Sequence, residues 1–173
     1  MKILIAYYSR RGENYVGGDI VNLPVGNTEV VAGIIKKLTG GEIFQVETVK
    51  RYPAGYHETT EVSRQELRQN ARPELADHVA NLADYDVLIL GYPNWWGTMP
   101  MAVFSFLEGC DLTGKTILPI CTHEGSGLGH SCSDIKRVCP GATVSRGLAI
   151  LGGSVQQSEG EISAWLKATG MIE

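Results

Sequence analysis

Two adjacent tryptophans stand in a segment that suits neither a strand nor a helix. Trp95 and Trp96 belong to Gly91–Pro100, GYPNWWGTMP, which follows the apolar run Asp86–Leu90. Glycines and prolines on both sides disfavour regular structure, so we predict a loop that carries two large flat side chains. Soluble proteins seldom leave such surfaces bare. The two rings could complete the core, or they could stack on a planar ligand.

A second candidate site surrounds the start of the first predicted helix. Asn27 is a favourable helix cap, and the free backbone N–H groups that follow a cap form an anion site. Ser9 and Thr28 add hydroxyl donors, and Arg10 or Arg11 adds positive charge. A phosphate group would suit these donors. The alternative is that Asn27 only caps a helix and that the arginines are solvated.

A third candidate is the glycine-rich segment Cys121–Gly129, CTHEGSGLG. Three alternating glycines make a flexible turn that could wrap around a ligand, or a plain turn before the next helix. His123 has the chemistry of a general acid or base. A histidine in an exposed loop more often has no such role, so both interpretations stay open.

The elements around these loops alternate between short apolar runs and helical patterns. Strands are predicted at Lys2–Tyr8, Glu42–Val46, Val87–Tyr92, Thr116–Cys121 and Thr143–Leu151. Helices are predicted at Asn27–Leu38, Thr60–Asn70, Glu74–Leu82, Met99–Leu107, Ser131–Val138 and Ser158–Ala168. This alternation predicts an α/β protein with a parallel sheet covered on both faces. Ligands bind such sheets beyond the carboxyl ends of the strands, where all three candidate loops lie.

One long segment interrupts the alternation. Arg11–Gly26 is predicted to be a loop insert between the first strand and its helix, and loops of this length are usually functional or mobile. Tyr52–Thr60 is predicted to be a second long connection. Neither segment resembles an interdomain linker, so residues 1–173 are expected to form a single domain.

The composition excludes several classes of function. The net charge of −4 argues against a nucleic-acid-binding protein, and no apolar run approaches the roughly 18 residues that span a membrane. No export signal is visible, so we expect a cytoplasmic protein. The four cysteines form no CxxC pair and are expected to be reduced and mostly buried. The histidines lack metal-ligand spacing, so no structural metal is expected.

In combination, these motifs resemble the flavodoxin family, specifically flavodoxin-like proteins with a WWGTMPMA signature. YYSRRG and GNTEVVA are similar to that family's phosphate loop and first helix. NARPELADHVANLADYDVLILGYPNWWGTMPMAVFSFLE and LTGKTILPICTHEGSGLG resemble the segments that contain its two flavin loops. The resemblance covers nearly the whole chain. It implies a three-layer sandwich with a five-stranded parallel sheet in the order 2-1-3-4-5.

The resemblance also implies FMN as the cofactor, with no catalytic side chain. By position, Ser9, Asn27 and Thr28 would hold the phosphate, with Arg11 near it. The isoalloxazine would be lined by Pro93, Asn94, Trp95, Trp96 and Gly97, and flanked by Thr122, His123, Gly125, Ser126 and Gly127. The insert departs from the short flavodoxin loop, and it could close over the ribityl chain or shape a surface for a partner.

Two functions follow from this resemblance. The first is a low-potential electron-transfer flavodoxin that works between redox partner proteins, a reductase and an electron acceptor. The alternative is an FMN-dependent NAD(P)H:quinone-type oxidoreductase with a small quinone-like substrate. The mild net charge, the Arg10–Arg11 pair and the long insert favour the alternative. A vestigial flavin site is disfavoured because all three loops are intact.

Overall fold

The apolar runs of the sequence lie side by side in one parallel sheet. In the computed structural model, which describes residues 1–173, helices cover both faces of this sheet. In chain order the elements are β1 (Ile3–Tyr7), β2 (Gly12–Val16), β3 (Asp19–Leu23), α1 (Asn27–Thr39), β4 (Glu42–Gln45), α2 (Tyr56–Arg68), β5 (Val87–Pro93), α3 (Met101–Glu108), β6 (Thr116–His123), α4 (Ser131–Val138), β7 (Thr143–Val144), β8 (Leu148–Leu151) and α5 (Glu159–Ala168).

The strand order confirms the predicted topology. The main sheet runs β4-β1-β5-β6-β7, and β8 also pairs with β6. All of these pairings are parallel. The predicted fifth strand is divided in two: β7 pairs with the beginning of β6, and β8 pairs with its end. The order is therefore 2-1-3-4-5, with an extra strand at one edge.

Alternating side chains of the central strands build two separate apolar layers. On β1, Ile3 and Ile5 join the layer that contains α1 and α5, whereas Leu4 and Ala6 join the layer that contains α3. Successive residues of a strand point to opposite faces, so a strand buried on both sides must be apolar throughout. Each fully buried leucine or isoleucine contributes roughly 1.5–3 kcal/mol. No helix of the chain is both long enough and apolar enough to cross a bilayer.

The predicted loop insert Arg11–Gly26 is instead an ordered β-hairpin. Strands β2 and β3 pair antiparallel from Gly12↔Leu23 to Val16↔Asp19 and form a separate two-stranded sheet. The prediction of a loop was wrong, because the residues on either side of Gly17 and Gly18 pair with each other as strands. A Gly-Gly pair between short alternating segments is a favoured two-residue hairpin turn.

Two helix predictions between β4 and β5 also need correction. The helix predicted at Thr60–Asn70 is α2, which begins four residues earlier, at Tyr56, and so shortens the predicted connection Tyr52–Thr60. The helix predicted at Glu74–Leu82 does not form. There, Val49 donates its backbone N–H to Glu74 O at 2.9 Å, and Ala76 donates to Glu47 O at 2.8 Å. These pairings with the segment after β4 take up the backbone groups that a helix would need.

The cysteines are free thiols held away from solvent. Cys121 and Cys139 are buried, and Cys110 and Cys132 are half-buried. Burial raises the pKa of Cys110 and Cys139 to about 11, and that of Cys121 to about 12. These three thiols therefore carry little reactive thiolate at neutral pH. No group of three or more histidine, cysteine, aspartate or glutamate side chains is arranged to hold a metal ion.

One glycine inside α1 and one just after it provide a matched test of this helix, which positions the candidate site. Gly33 lies in the helix interior, and Gly40 ends the helix in the left-handed conformation, with φ 71°. A Cβ added at either position meets nothing within 4 Å, so only the backbone conformation differs. Gly33→Ala should raise the free energy of unfolding by about 0.5–1 kcal/mol. Gly40→Ala should lower it by about 1–2 kcal/mol.

Urea unfolding followed by circular dichroism measures both free energies. Equal shifts of the same sign in the two variants would contradict the end of α1 at Gly40.

Candidate functional site

A cavity of about 190 Å³ opens where the carboxyl ends of β1, β5 and β6 meet. We call it the inner cavity. Its lining is Ser9, Arg10, Asn14, Tyr15, Asn27, Thr28, Tyr56, Pro93, Asn94, Trp95, Thr122, His123, Glu124 and Ser126. The predicted site residues Ser9, Asn27, Thr28, Pro93, Asn94, Trp95, Thr122, His123 and Ser126 are therefore brought together. The predicted residues Arg11, Trp96, Gly97, Gly125 and Gly127 lie outside this lining.

One end of the inner cavity is the N-terminus of α1. The prediction that Asn27 caps this helix is wrong, because Gly26 occupies the cap and Asn27 is the first helical residue. The hydroxyl of Ser9, which lies in the loop after β1, acts as the capping group instead: Ser9 Oγ accepts the Glu29 N–H at 3.1 Å. The backbone N–H groups of Asn27 and Thr28 are left without a protein acceptor. Such unpaired N–H groups at a helix start bind anions.

Two threonine hydroxyls form the floor beside this helix end. Thr28 Oγ1 and Thr122 Oγ1 lie 2.8 Å apart and join α1 to β6. Both residues are buried, so their hydroxyls are held in place by packing. The threonine hydroxyls and the free backbone N–H groups place several hydrogen-bond donors in this part of the cavity. The positive end of the helix dipole lies at the same place.

Arg11 is engaged outside the cavity. Its guanidinium forms a two-bonded pair with Glu29, with Nε to Oε1 at 2.9 Å and Nη2 to Oε2 at 2.6 Å. The hydrogen bond from Arg11 holds the pKa of Glu29 below its ordinary value. Because Glu29 lies in the first turn of α1, Arg11 braces the helix rather than facing the inner cavity.

Arg10 is the arginine that lines the cavity. It donates from Nε to Glu13 O at 3.1 Å, from Nη1 to Pro53 O at 3.0 Å and from Nη2 to Ala54 O at 2.8 Å. No carboxylate oxygen lies within 4.0 Å of its guanidinium nitrogens. The three carbonyls therefore fix the position of a positive charge that no acidic side chain neutralises.

The loop after β5 ends in a two-residue turn that points its tryptophans in different directions. Trp95 and Thr98 exchange backbone hydrogen bonds at 2.9 and 3.3 Å. The two residues between them, Trp96 and Gly97, have φ values of 59° and 86°. This left-handed conformation suits a glycine but is strained for a tryptophan. Strain of this kind is found most often at functional sites.

Trp95 serves both the core and the cavity wall. Its ring makes edge contacts with Tyr8 and Tyr52, each with a centroid distance of 5.3 Å. It also lines the inner cavity. The side chain therefore packs against the core and also borders the cavity.

Trp96 turns away over α2. Its Nε1–H donates to Ser63 Oγ at 3.0 Å, and the Arg64 guanidinium carbon lies 5.8 Å from the ring centroid. The other side of Trp96 faces solvent, and the residue is 48% exposed. These two contacts hold the ring in place despite the strained backbone.

Asn94 ties the loops after β5 and β6 together. Its backbone N–H donates to Thr122 O at 2.8 Å, and its Nδ2 donates to Gly127 O at 2.9 Å. Its Oδ1 accepts the Gly97 N–H at 2.9 Å. Similarly, His123 Nδ1 accepts the Gly125 N–H at 2.9 Å. The three predicted site glycines therefore shape the loops by hydrogen bonds to residues that do line the cavity.

Sequence reasoning missed the residues that the hairpin and α2 contribute. Tyr15 and Tyr56 stack with centroids 6.0 Å apart and rings inclined by 25°. Glu13 Oε2 accepts the Tyr56 N–H at 2.8 Å, and Glu124 Oε2 accepts the Gly17 N–H at 3.0 Å. The hairpin is thus fastened on both sides of the cavity mouth. The Gly-Gly turn was the signal that could have revealed it.

A second cavity of about 210 Å³ adjoins the first, and we call it the outer cavity. The two share Arg10, Asn14, Tyr56, Asn94 and Trp95 as lining. The outer cavity is completed by Thr59, Thr60 and Ser63 of α2 and by Trp96. Together the two cavities reach the size of small-molecule sites, roughly 300–1,000 Å³.

Comparisons with known structures agree with this arrangement. A protein described as a "putative flavoprotein" from Bacteroides eggerthii is 27% identical with a TM-score of 0.76, and the match covers 96% of each chain. A second, from Bacteroides uniformis, is 25% identical with a TM-score of 0.74, covering 96% of this chain and 97% of the other. A Lactobacillus acidophilus flavoprotein solved in complex with FMN shares the fold at 18% identity, with a TM-score of 0.65 and coverage of 92% and 98%.

The sequence comparisons give one family. No curated protein matches the chain. The family model described as Flavodoxin matches residues 20–169, which is most of the chain. With its parallel sheet, its strand order and its cavity at the carboxyl ends of the strands, the chain belongs to the flavodoxin family.

Proposed function

We propose that this chain binds FMN and transfers electrons as a low-potential carrier of flavodoxin type, between a reductase and an acceptor protein. The observation that carries the proposal is one cavity with an anion site at one end and an aromatic wall at the other. The unpaired N–H groups of Asn27 and Thr28 suit a phosphate, and the Trp95 face suits a planar ring. The membership of the flavodoxin family supports FMN as the occupant.

The residues divide into two groups by the part of FMN that they would contact. Ser9, Asn27 and Thr28 would hold the phosphate, and Arg10, rather than Arg11, would contribute charge from within the cavity. The ring would be contacted by Pro93, Asn94, Trp95, Thr122, His123 and Ser126, with Tyr56 added from α2. Gly97, Gly125 and Gly127 would fix the loops, and Trp96 would border the site.

Bound FMN supplies the redox chemistry, and the protein sets the conditions for it. Apolar aromatic walls disfavour an added negative charge, which lowers a reduction potential. The formal charges that line the inner cavity, on Arg10 and Glu124, are one positive and one negative. These two formal charges sum to zero, so the lining offers no net positive charge to stabilise a negatively charged reduced flavin, and the proposed potential is low.

The direct test is to compare FMN with riboflavin, which lacks the phosphate. Two hydrogen bonds to a charged group contribute about 1.5–3 kcal/mol each, so FMN should bind at least about 100-fold more tightly. Equilibrium titration of cofactor-free protein, followed by quenching of flavin fluorescence, gives both dissociation constants. Equal affinities would contradict a phosphate site at α1, and colourless protein that ignores both flavins would refute the proposal.

The two tryptophans provide a matched pair of variants. Trp95→Ala removes a wall of the inner cavity and should weaken FMN binding by about tenfold or more, since an aromatic contact and buried area are lost together. Trp96→Ala should weaken it by less than about threefold, because that ring lies against α2. The same fluorescence titration measures both. Similar losses in the two variants would show that the ring does not lie against Trp95.

A second candidate function is an FMN-dependent NAD(P)H:quinone-type reductase, and the outer cavity favours it. A carrier exchanges electrons through its surface and needs no room for a small substrate, whereas a reductase does. A potentiometric titration of FMN-loaded protein should show two well-separated one-electron steps for a carrier. A single two-electron step, with rapid NADPH oxidation in the presence of a quinone, would establish the reductase instead.

A further inference from the structure

Trp95 differs from the other two tryptophans in how its ring is held. Trp96 and Trp165 each donate the indole N–H to a protein oxygen, at 3.0 and 2.9 Å. The indole N–H of Trp95 has no protein acceptor, so packing alone orients this ring. The rings of Tyr8 and Tyr52 meet it edge-on, each with a centroid distance of 5.3 Å. The direction of this cavity wall therefore depends on how firmly the two tyrosines are fixed.

The two tyrosines are fixed in different ways. Tyr8 is buried in the core, and its backbone N–H donates to Gly91 O at 3.0 Å. Tyr52 lies in the irregular segment between β4 and α2, and its backbone groups have no hydrogen-bond partner. Its hydroxyl donates to Glu66 Oε1 at 2.7 Å, which is the one hydrogen bond that this residue makes. Glu66 therefore holds the Tyr52 ring in place against Trp95.

A third cavity, of about 570 Å³, lies beside the pair that Tyr52 and Glu66 form. Both residues line it, together with other residues of the segment before α2 and of α2 itself. It shares no lining residue with the inner or the outer cavity. Water and protons can therefore reach Glu66, which is half-buried, without entering the proposed FMN site.

The surroundings of Glu66 affect its ionisation in opposite ways. Burial raises the pKa of Glu66 above its ordinary value, whereas the hydrogen bond from Tyr52 and the charge of Lys50 oppose this rise. The other charged residues that line the third cavity are Arg51, from the segment before α2, and Glu74, from the segment after it. The other residues of α2 in this lining are uncharged. Glu66 therefore takes up a proton at a higher pH than an exposed glutamate does.

The ionised form of Glu66 is the stronger partner for Tyr52. A hydrogen bond to a carboxylate is roughly twice as strong as a hydrogen bond to a neutral oxygen. The carboxylate is present above the raised pKa of Glu66 and is lost as the pH falls through that pKa. Acidification therefore weakens the hydrogen bond that fixes the Tyr52 ring.

We propose that Glu66 is a positioning residue of the FMN site. Its carboxylate holds Tyr52, and Tyr52 holds Trp95 in the orientation that accepts the planar ring. The affinity for FMN therefore falls when Glu66 loses either its charge or its acceptor oxygens. The inference rests on the proposed function, because it takes Trp95 to be the wall against which the flavin ring lies.

Three substitutions on α2 test this role by titration with FMN at about pH 8, where a carboxyl group of raised pKa is ionised. Glu66→Leu removes the acceptor at similar size and should weaken FMN binding about fivefold. Glu66→Gln keeps a neutral acceptor and should weaken it only about twofold. Glu61→Leu is the matched control, since the side chain of Glu61 is 68% exposed and lines none of the three cavities, and it should leave FMN binding unchanged.

A double-variant cycle tests the route through Tyr52. Tyr52→Phe keeps the ring and removes the hydroxyl, so it should weaken FMN binding as much as Glu66→Leu does. The double variant should lose no more than either single variant, because both changes remove the same hydrogen bond. Additive losses would show that Glu66 acts by another route and would overturn the inference.

The pH dependence distinguishes positioning from a merely structural role. From about pH 8 to about pH 5, the dissociation constant of the wild-type protein should rise about threefold more than that of Glu66→Gln, which has no charge to lose. The phosphate of FMN titrates in the same range, but equally for both proteins. In cofactor-free protein, the Trp95 indole signal in ¹H–¹⁵N spectra, identified from its loss in Trp95→Phe, should shift in Glu66→Leu and not in Glu61→Leu.

The outcomes separate this inference from the proposed function. Equal FMN affinities in the wild type, Glu66→Leu and Tyr52→Phe overturn the inference and leave the FMN proposal standing. Parallel pH profiles of the wild type and Glu66→Gln overturn it as well. Protein that takes no flavin refutes the proposed function, and the Trp95 signal then decides the positioning by itself, because an unchanged signal in Glu66→Leu overturns it.

Discussion

The side chain of Asn94 is the contact on which the candidate site depends. It lies one residue past the last β5–β6 pair, Pro93↔Thr122, and continues that pairing with a backbone bond to Thr122. Its amide then uses the oxygen for Gly97 and the nitrogen for Gly127, so it holds a turn on each side. The loops after β5 and β6 are thereby fixed relative to each other and to the sheet. A half-buried amide whose oxygen and nitrogen are both paired also avoids the cost of unsatisfied polar groups.

The hydrogen bonds of Asn94 explain why Trp95 and Trp96 point in different directions and why the space beside them forms two cavities. The Gly97 carbonyl accepts the His130 N–H at 2.8 Å, and a Cβ at Gly129 would lie only 2.1 Å from the same oxygen. The turn at Trp96 is therefore held from both sides and cannot relax its backbone. With Trp95 directed inward and Trp96 directed over α2, the space at the sheet edge is divided between two compartments that share Arg10 as a wall.

The sequence predicted the features that depend on local periodicity. It did not predict those that depend on contacts between residues far apart in the chain. Apolar runs predicted the strands, their order and the edge at which the loops meet. Ser9, rather than Asn27, accepts the N–H of Glu29 in the first turn of α1, across a separation of 20 residues that no local cap rule anticipates. The sequence left open which of Arg10 and Arg11 faces the site, and only their tertiary partners distinguish them: Arg10 lines the inner cavity, whereas Arg11 pairs with Glu29. The segment Glu74–Leu82 has helical spacing, yet its pairing with the segment after β4, through the bridge Thr48↔Leu75, overrides that preference.

The hairpin shows how an insert can add a surface without disturbing the site beneath it. Its first and last residues pair, Gly12 with Leu23, so the chain leaves and returns at nearly the same place. Ser9 and the start of α1, which form the anion end of the inner cavity, therefore still meet. A Cβ at Gly26 would lie 2.2 Å from Ser9 Oγ, so this contact requires glycine.

The body of the hairpin covers the edge of the sheet, where Glu13 and Gly17 bind it to α2 and to the loop after β6. The hairpin contributes Asn14 and Tyr15 to the lining of the inner cavity. It also supplies Glu13, whose carbonyl oxygen accepts a hydrogen bond from Arg10. The hairpin therefore adds a polar and an aromatic side chain to the lining of the inner cavity, while the contact between Ser9 and the start of α1 beneath it is kept.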